Sequence, residues 1–166
     1  MTRIKLLILD VDGVLTSGAL PYDASDDISK TFHVQDGTAV RLWHDTGGLA
    51  AIISGRQAEG VERRAKDLGI NIVVQGVSDK LPAYDAVRSR ADAEDDAVAV
   101  IGDDLLDLPL MRRCGYPIAV ENAVPRVKRA ARYVTRRRGG EGAIAEAVER
   151  LLRLNGTWHR VMERRG

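Results

Sequence analysis

Apolar and polar positions fall in blocks along this chain. Short apolar runs bounded by turn residues recur at residues 4–9, 49–53, 72–74, 97–101 and 117–120. Continuous runs without alternation predict strands covered on both faces. Between them the apolar residues take helical spacing. Val40, Leu42 and Trp43 precede Gly47-Gly48, a helix stop, and Val61, Ala65 and Leu68 share a face that ends at Gly69. Leu81, Tyr84, Val87 and Arg88 predict a third helix, and Ile144, Ala147, Val148, Leu151 and Leu152 a last one. Strands alternating with helices imply βαβ units with right-handed crossovers, hence a doubly wound, mainly parallel, Rossmann-like α/β sheet. The segment 18–32 departs from this rhythm. Its polar residues 23–27 separate two short runs, 19–22 and 28–32, which predicts a β-hairpin inserted after the first strand.

The 166 residues suffice for one domain with a sizeable core, expected over 1–154 with a polar C-terminal tail at 155–166. One Phe and two Trp leave the core to Val, Ile, Leu and Ala, which suits a parallel sheet. A net charge of +1 gives no global field for nucleic acid. The charge is nevertheless uneven, acidic at 92–96 and 103–107 and basic at 126–138. The one cysteine, Cys114, rules out an internal disulfide or a cysteine-based zinc cage, and reads as a buried thiol. Asp10 and Asp12 interrupt the first apolar run too early for a signal peptide. No run reaches the roughly 18 apolar residues of a membrane span, so the cytoplasm is the expected compartment.

In an open α/β sheet, ligands bind beyond the carboxyl ends of the strands, and three signals fall there. Asp10-Val11-Asp12-Gly13 closes the first run, with carboxylates two residues apart able to act as metal ligand, nucleophile or acid/base. Gly102-Asp103-Asp104-Leu105-Leu106-Asp107 closes the fourth, where adjacent carboxylates repel unless a cation neutralises them. An acidic helix N-terminus is the plainer reading of that cluster alone. Together with Asp10 and Asp12 it points to a hard divalent ion, for which Mg²⁺ is suited. Ser54-Gly55-Arg56 closes the second run as a phosphate-binding corner or an ordinary turn. Lys80 opens a helix after Gln75-Gly76-Val77-Ser78-Asp79.

This order of motifs resembles the haloacid dehalogenase (HAD) superfamily of phosphatases. The resemblance implies that Asp10 is the phosphate-accepting nucleophile and Asp12 the general acid/base. It implies that Ser54 and Lys80 hold the phosphoryl oxygens and that Asp10, Asp103 and the backbone carbonyl of Asp12 bind Mg²⁺, with Asp104 and Asp107 in support. The chemistry is consistent, since a carboxylate attacks phosphorus only when its repulsion from the phosphate is cancelled.

Such enzymes usually carry a cap domain, for which this chain has no room. Its motifs, with Phe32-x-Val34-x-Asp36-Gly37 and Gly139-Gly140-x-Gly142-Ala143, resemble the capless 3-deoxy-D-manno-octulosonate 8-phosphate (KDO 8-phosphate) phosphatase family over nearly the whole chain. That resemblance implies a sugar-acid phosphate substrate in lipopolysaccharide precursor synthesis. It also implies a homotetramer with hairpins at its centre and sites completed by adjacent subunits. Ser17, Ser54, Ala145 and the stretch 25–29 depart from the family's commoner residues, which leaves a related nonulosonate 9-phosphate as the alternative substrate. Gly55, Arg56, Arg64, Gln75 and Gly76 are candidate substrate contacts, the two arginines for a carboxylate. A solvated helix face is the competing reading for Arg64; Arg136–Arg138 read as a solvated loop before Gly139-Gly140, with guidance of an anionic substrate as the alternative. His33, His44 and His159 lack metal-ligand spacing. Trp158 has no core to explain it and is expected to pack on a neighbouring subunit. A signalling receiver domain, phosphorylated but not turning over, shares the carboxylates, Lys and Mg²⁺. It would need its acceptor Asp at the third strand, which here ends in Val74-Gln75.

Overall fold

The computed structural model describes residues 2–21 and 29–164. Among them, six strands form one sheet in the order β3-β2-β1-β4-β5-β6. The strands are β1 (Leu6–Leu9), β2 (Leu49–Ile53), β3 (Ile72–Val74), β4 (Val98–Gly102), β5 (Tyr116–Ala119) and β6 (Tyr133–Val134). Every pairing is parallel. The helices are α1 (Val34–Asp45), α2 (Glu59–Leu68), α3 (Lys80–Arg90), α4 (Leu108–Arg113), α5 (Pro125–Ala130), α6 (Ala143–Leu154) and α7 (Trp158–Glu163). Among the described residues no helix is long and apolar enough to cross a membrane.

β1 is the centre. Leu6 pairs with Leu49 of β2 on one side and Val98 of β4 on the other. All four of its residues are buried, as a strand with helices on both faces must be. After β1 the chain winds outward through β2 and β3, then crosses to begin again at β4. This reversal opens a crevice at the carboxyl ends of β1, β2 and β4.

α1 buries Ala39, Val40 and Trp43 and packs on the apolar stripe of α6, including Ile144, Ala147 and Leu151. Gly48 is required beneath Trp43, because a Cβ there would meet the indole at 2.3 Å. Asp36, which the sequence offered only as part of a motif, is buried and structural: its Oδ1 accepts from Ala145 N at 2.8 Å. It thereby caps α6 from a distant part of the chain, a task for which α6 has no side chain of its own.

Within 155–164, read from the sequence as a polar tail, α7 docks on α6 with Val161 buried and Trp158 against the chain's own core. Arg153 lies 4.9 Å over the Trp158 ring, so this residue needs no neighbouring subunit to account for its packing. Of the hairpin expected over 18–32, residues 22–28 lie outside the described residues. Its flanks at 18–21 and 29–32 carry no strand.

Candidate active site

The loop after β1 turns sharply, with Thr16 N donating to Val11 O at 3.0 Å and Gly13 in the left-handed region at φ 94°. A side chain at Gly13 is excluded twice, because its Cβ would also lie 2.1 Å from Asp103 Oδ2. The turn lets Asp10 and Asp12 face the crevice beside the loop after β4. Asn122 fixes its far side, donating to Gly13 O at 3.2 Å and accepting from Gly139 N at 2.6 Å. Gly139 must be glycine here, since a Cβ would lie 1.7 Å from Gly13 O. The glycine motif that follows β6 is thus a clasp on the loop after β1.

Asp10, Asp12, Ser54, Gly55, Arg56, Lys80, Asp103, Asp104 and Asp107 line one cleft of about 430 Å³. Lys80 is buried at its centre, at the N-terminus of α3 behind its capping Asp79, and binds Asp10 Oδ1 at 2.5 Å and Asp107 Oδ1 at 2.7 Å. Burial opposes its charge, but the two carboxylates outweigh that and raise its pKa above an ordinary lysine's. Asp107 uses its other oxygen to accept from Asp103 N at 2.9 Å and Asp104 N at 3.3 Å, which holds the acidic turn in shape. Asp104 points to solvent and caps the same turn through Leu105 N.

Asp10, Asp103 and Asp107 each offer an oxygen, and these oxygens lie within 4.8 Å of one another. One lysine cannot neutralise two buried carboxylates and the half-buried Asp103 beside them. Burial first and the charge of Asp107 second push Asp10 up to about 7 despite Lys80. Burial and then Asp10, Asp107 and Asp104 push Asp103 up to about 8, and its buried Oδ1 has no hydrogen-bond partner. An all-oxygen donor set with an orphaned, under-neutralised carboxylate fits a hard divalent cation such as Mg²⁺.

Ser54 is fixed by its own N–H to Val74 O at 2.9 Å, and its buried Oγ accepts from Arg56 N at 3.3 Å. Because β2 and β4 flank β1, Ser54 and the Asp103 loop approach the cleft from opposite sides. Asp12 lies outside the three-carboxylate cluster and is flanked by cations. Arg56 Nε is 3.5 Å from its Oδ2, and the ammonium of Lys30 touches its Oδ1.

Two expected substrate residues are committed elsewhere. Gln75 accepts from Ala58 N at 3.1 Å and donates to Glu62 Oε1 at 2.8 Å, bracing the start of α2. Arg64 stacks on Phe32 at 5.6 Å and donates to His33 O at 3.1 Å, outside the cleft. Gly76 supports the β2 loop by donating to Arg56 O at 3.3 Å. Of the arginine run, the backbones of Arg136 and Arg137 are spent on Glu146, and Arg138 lies 3.7 Å from Glu121. Lys30 and Asn122 had not been singled out. Lys30 sits in the segment read as a hairpin, and its partner is 18 residues away.

A family model described as haloacid dehalogenase-like hydrolase matches residues 70–148. The chain is 42% identical over 150 residues to 3-deoxy-D-manno-octulosonate 8-phosphate phosphatase of Yersinia pestis, covering 90% of this chain and 80% of that protein. Among solved structures, the phosphatase of that name from Moraxella catarrhalis, in complex with magnesium ion, phosphate ion and KDO, superposes with TM-score 0.95 at 36% identity, over 99% of this chain and 94% of that one. The cobalt-bound enzyme of Haemophilus influenzae gives TM-score 0.91 at 38% identity, over 94% and 91% of the two chains.

Proposed function

This chain belongs to the haloacid dehalogenase-like hydrolases and, within them, to the KDO 8-phosphate phosphatase family, and from that premise we propose that it hydrolyses KDO 8-phosphate to KDO and inorganic phosphate. The observation that carries this reading is the meeting of Asp10, Lys80, Asp103 and Asp107 with Ser54 in one cleft. Asp10, Asp103 and the backbone carbonyl of Asp12 would hold Mg²⁺, with Asp107 bracing the cluster through Lys80. When bound, the ion supplies positive charge against the phosphoryl oxygens and the Asp10 carboxylate.

The chain's own residues account for the rest. Lys80 favours the ionised form of Asp10 against the cost of burial and offers its remaining N–H to a phosphoryl oxygen. Ser54 Oγ and the N–H groups of the β2 loop bind further oxygens, so the phosphoryl group is oriented for in-line attack by Asp10. Asp12, off the cation cluster, gives a proton to the leaving sugar oxygen and later takes one from the water that hydrolyses the aspartyl-phosphate. Arg56, at the cleft mouth, is suited to the sugar carboxylate.

Among the described residues no cap element is inserted over the cleft, which supports a second part of the reading. A homotetramer, with a neighbouring subunit closing each site, would exclude water and grip the substrate. The cytoplasm, where the intracellular sugar phosphate would be found, is the compartment this activity requires. A nonulosonate 9-phosphate is less favoured, because the relatives in hand are named for KDO 8-phosphate. A receiver-type switch lacks support because the end of β3, where its acceptor Asp belongs, carries Val74 and Gln75.

The test is an activity profile of purified, Mg²⁺-loaded protein over KDO 8-phosphate, nonulosonate 9-phosphates and hexose 6-phosphates. The reading expects kcat/KM for KDO 8-phosphate to exceed the others by about tenfold or more, the scale of one well-placed ionic contact. A higher value for a nonulosonate phosphate would transfer the assignment to that substrate.

A further inference from the structure

Lys30 has no task in the reading above, yet it is the most deeply placed cation beside the proposed acid/base. It follows residues 22–28, and its ammonium contacts Asp12 Oδ1 with a side chain only 2% exposed, against 20% for Asp12. The second cation near Asp12 is of another kind: Arg56 Nε is 3.5 Å from Oδ2, on a side chain 51% exposed. Solvent screens the arginine but hardly reaches the lysine, so the lysine contact dominates. A buried ammonium also needs its counter-charge, so Lys30 and Asp12 constrain one another. Among the described residues, Lys30 is the only hydrogen-bond donor to this carboxylate.

We propose that Lys30 is a positioning residue for Asp12, anchoring Oδ1 so that Oδ2 is the oxygen that exchanges protons with the reacting groups. This deepens the phosphatase reading and rests on it. In the first step the proton on Oδ2 moves to the sugar oxygen as the ester P–O bond breaks and the bond from Asp10 to phosphorus forms. In the second, Oδ2 takes the proton of the attacking water as the bond between Asp10 and phosphorus breaks, which returns Asp10 as a carboxylate. Without the anchor the Asp12 side chain regains its rotamers, and only a fraction of encounters finds the acid in line. That loss is felt where the leaving group needs a proton and far less where it does not.

The experiment compares kcat/KM for an alkyl phosphate, whose leaving group must be protonated, with that for 2,4-dinitrophenyl phosphate, whose leaving group departs as the anion. Lys30→Met should lower the alkyl value by about 100-fold, the lower end of a general-acid contribution, and the aryl value by at least tenfold less. Lys30→Arg should recover most of the loss by restoring the cation. In an Asp12→Asn background Lys30→Met should cost no more than about threefold, because two residues acting through one group are not additive. Equal losses on both substrates, or full additivity with Asp12→Asn, would overturn the proposal and make Lys30 a direct substrate contact. Should Lys30→Met not fold, Lys30→Gln carries the same comparison. Wild-type protein that prefers another alkyl phosphate to KDO 8-phosphate would count against the substrate assignment alone, since the leaving-group comparison can be run on any alkyl ester turned over.

Discussion

Lys80 Nζ lies 2.5 Å from Asp10 Oδ1, and both groups are buried. A third charge, Asp107, binds the same ammonium at 2.7 Å, so one lysine holds two carboxylates in a space that excludes water. Removing it leaves both without their partner. Lys80→Met should therefore reduce kcat by roughly 10²–10³-fold and destabilise the fold by about 3–5 kcal/mol near neutral pH. Lowering the pH should narrow the stability gap, because protonated carboxyl groups do not need the lysine. Thermal melts and steady-state kinetics check both, and near-normal turnover would remove Lys80 from phosphate binding.

The acidic cluster makes a pH prediction for metal-free protein. Asp10 and Asp103 rise from an ordinary 3.8 to about 7 and about 8, so the folded chain holds protons that the unfolded chain releases. A raised folded pKa contributes stability that is complete below about pH 4 and is lost as pH climbs through 7 and 8. The melting temperature of EDTA-treated protein should accordingly fall between pH 5 and 9. Added Mg²⁺ should raise it, and by more at pH 8 than at pH 5, because the ion binds the ionised, folded cluster. A melting temperature indifferent to Mg²⁺ at pH 8 would contradict the metal assignment.

Asp36 separates structure from chemistry. It is 1% exposed, its accepted bond from Ala145 N caps α6, and it does not line the cleft. Asp36→Ala should cost about 1–2 kcal/mol, the range for a lost helix cap, with kcat within a few-fold of wild type. A large loss of kcat at unchanged stability would show that this residue reaches the cleft.

The contrast between Asp36 and Lys80 shows what the chain made legible. β1, β2 and β3 could be read because runs such as Leu6–Leu9 are buried on both faces and end at residues that cannot continue a strand. Strand ends are also where this topology puts ligands, so Asp10, Ser54 and Asp103 were found by position. β6 escaped because Tyr133–Val134 is two residues long, and α4 and α5 because each is six residues with Pro near the start and little periodicity. Side-chain direction was not legible. Arg64 and Gln75 had suitable chemistry but turn to His33, Ala58 and Glu62, while Lys30 folds back on Asp12 from a stretch with no motif of its own. Asn122 was invisible for the same reason, since both of its partners come from other loops.

The central claim is that Asp10 becomes phosphorylated during turnover. Acid quenching within milliseconds of mixing the Mg²⁺-loaded enzyme with ³²P-labelled KDO 8-phosphate traps such a species, and proteolysis locates it. The account predicts a hydroxylamine-labile label on the peptide containing Asp10, absent in Asp10→Asn, whose turnover should fall by about 10³-fold or more while its fold persists. Steady turnover with no labelled peptide at any quench time, or substantial activity in Asp10→Asn, would contradict it.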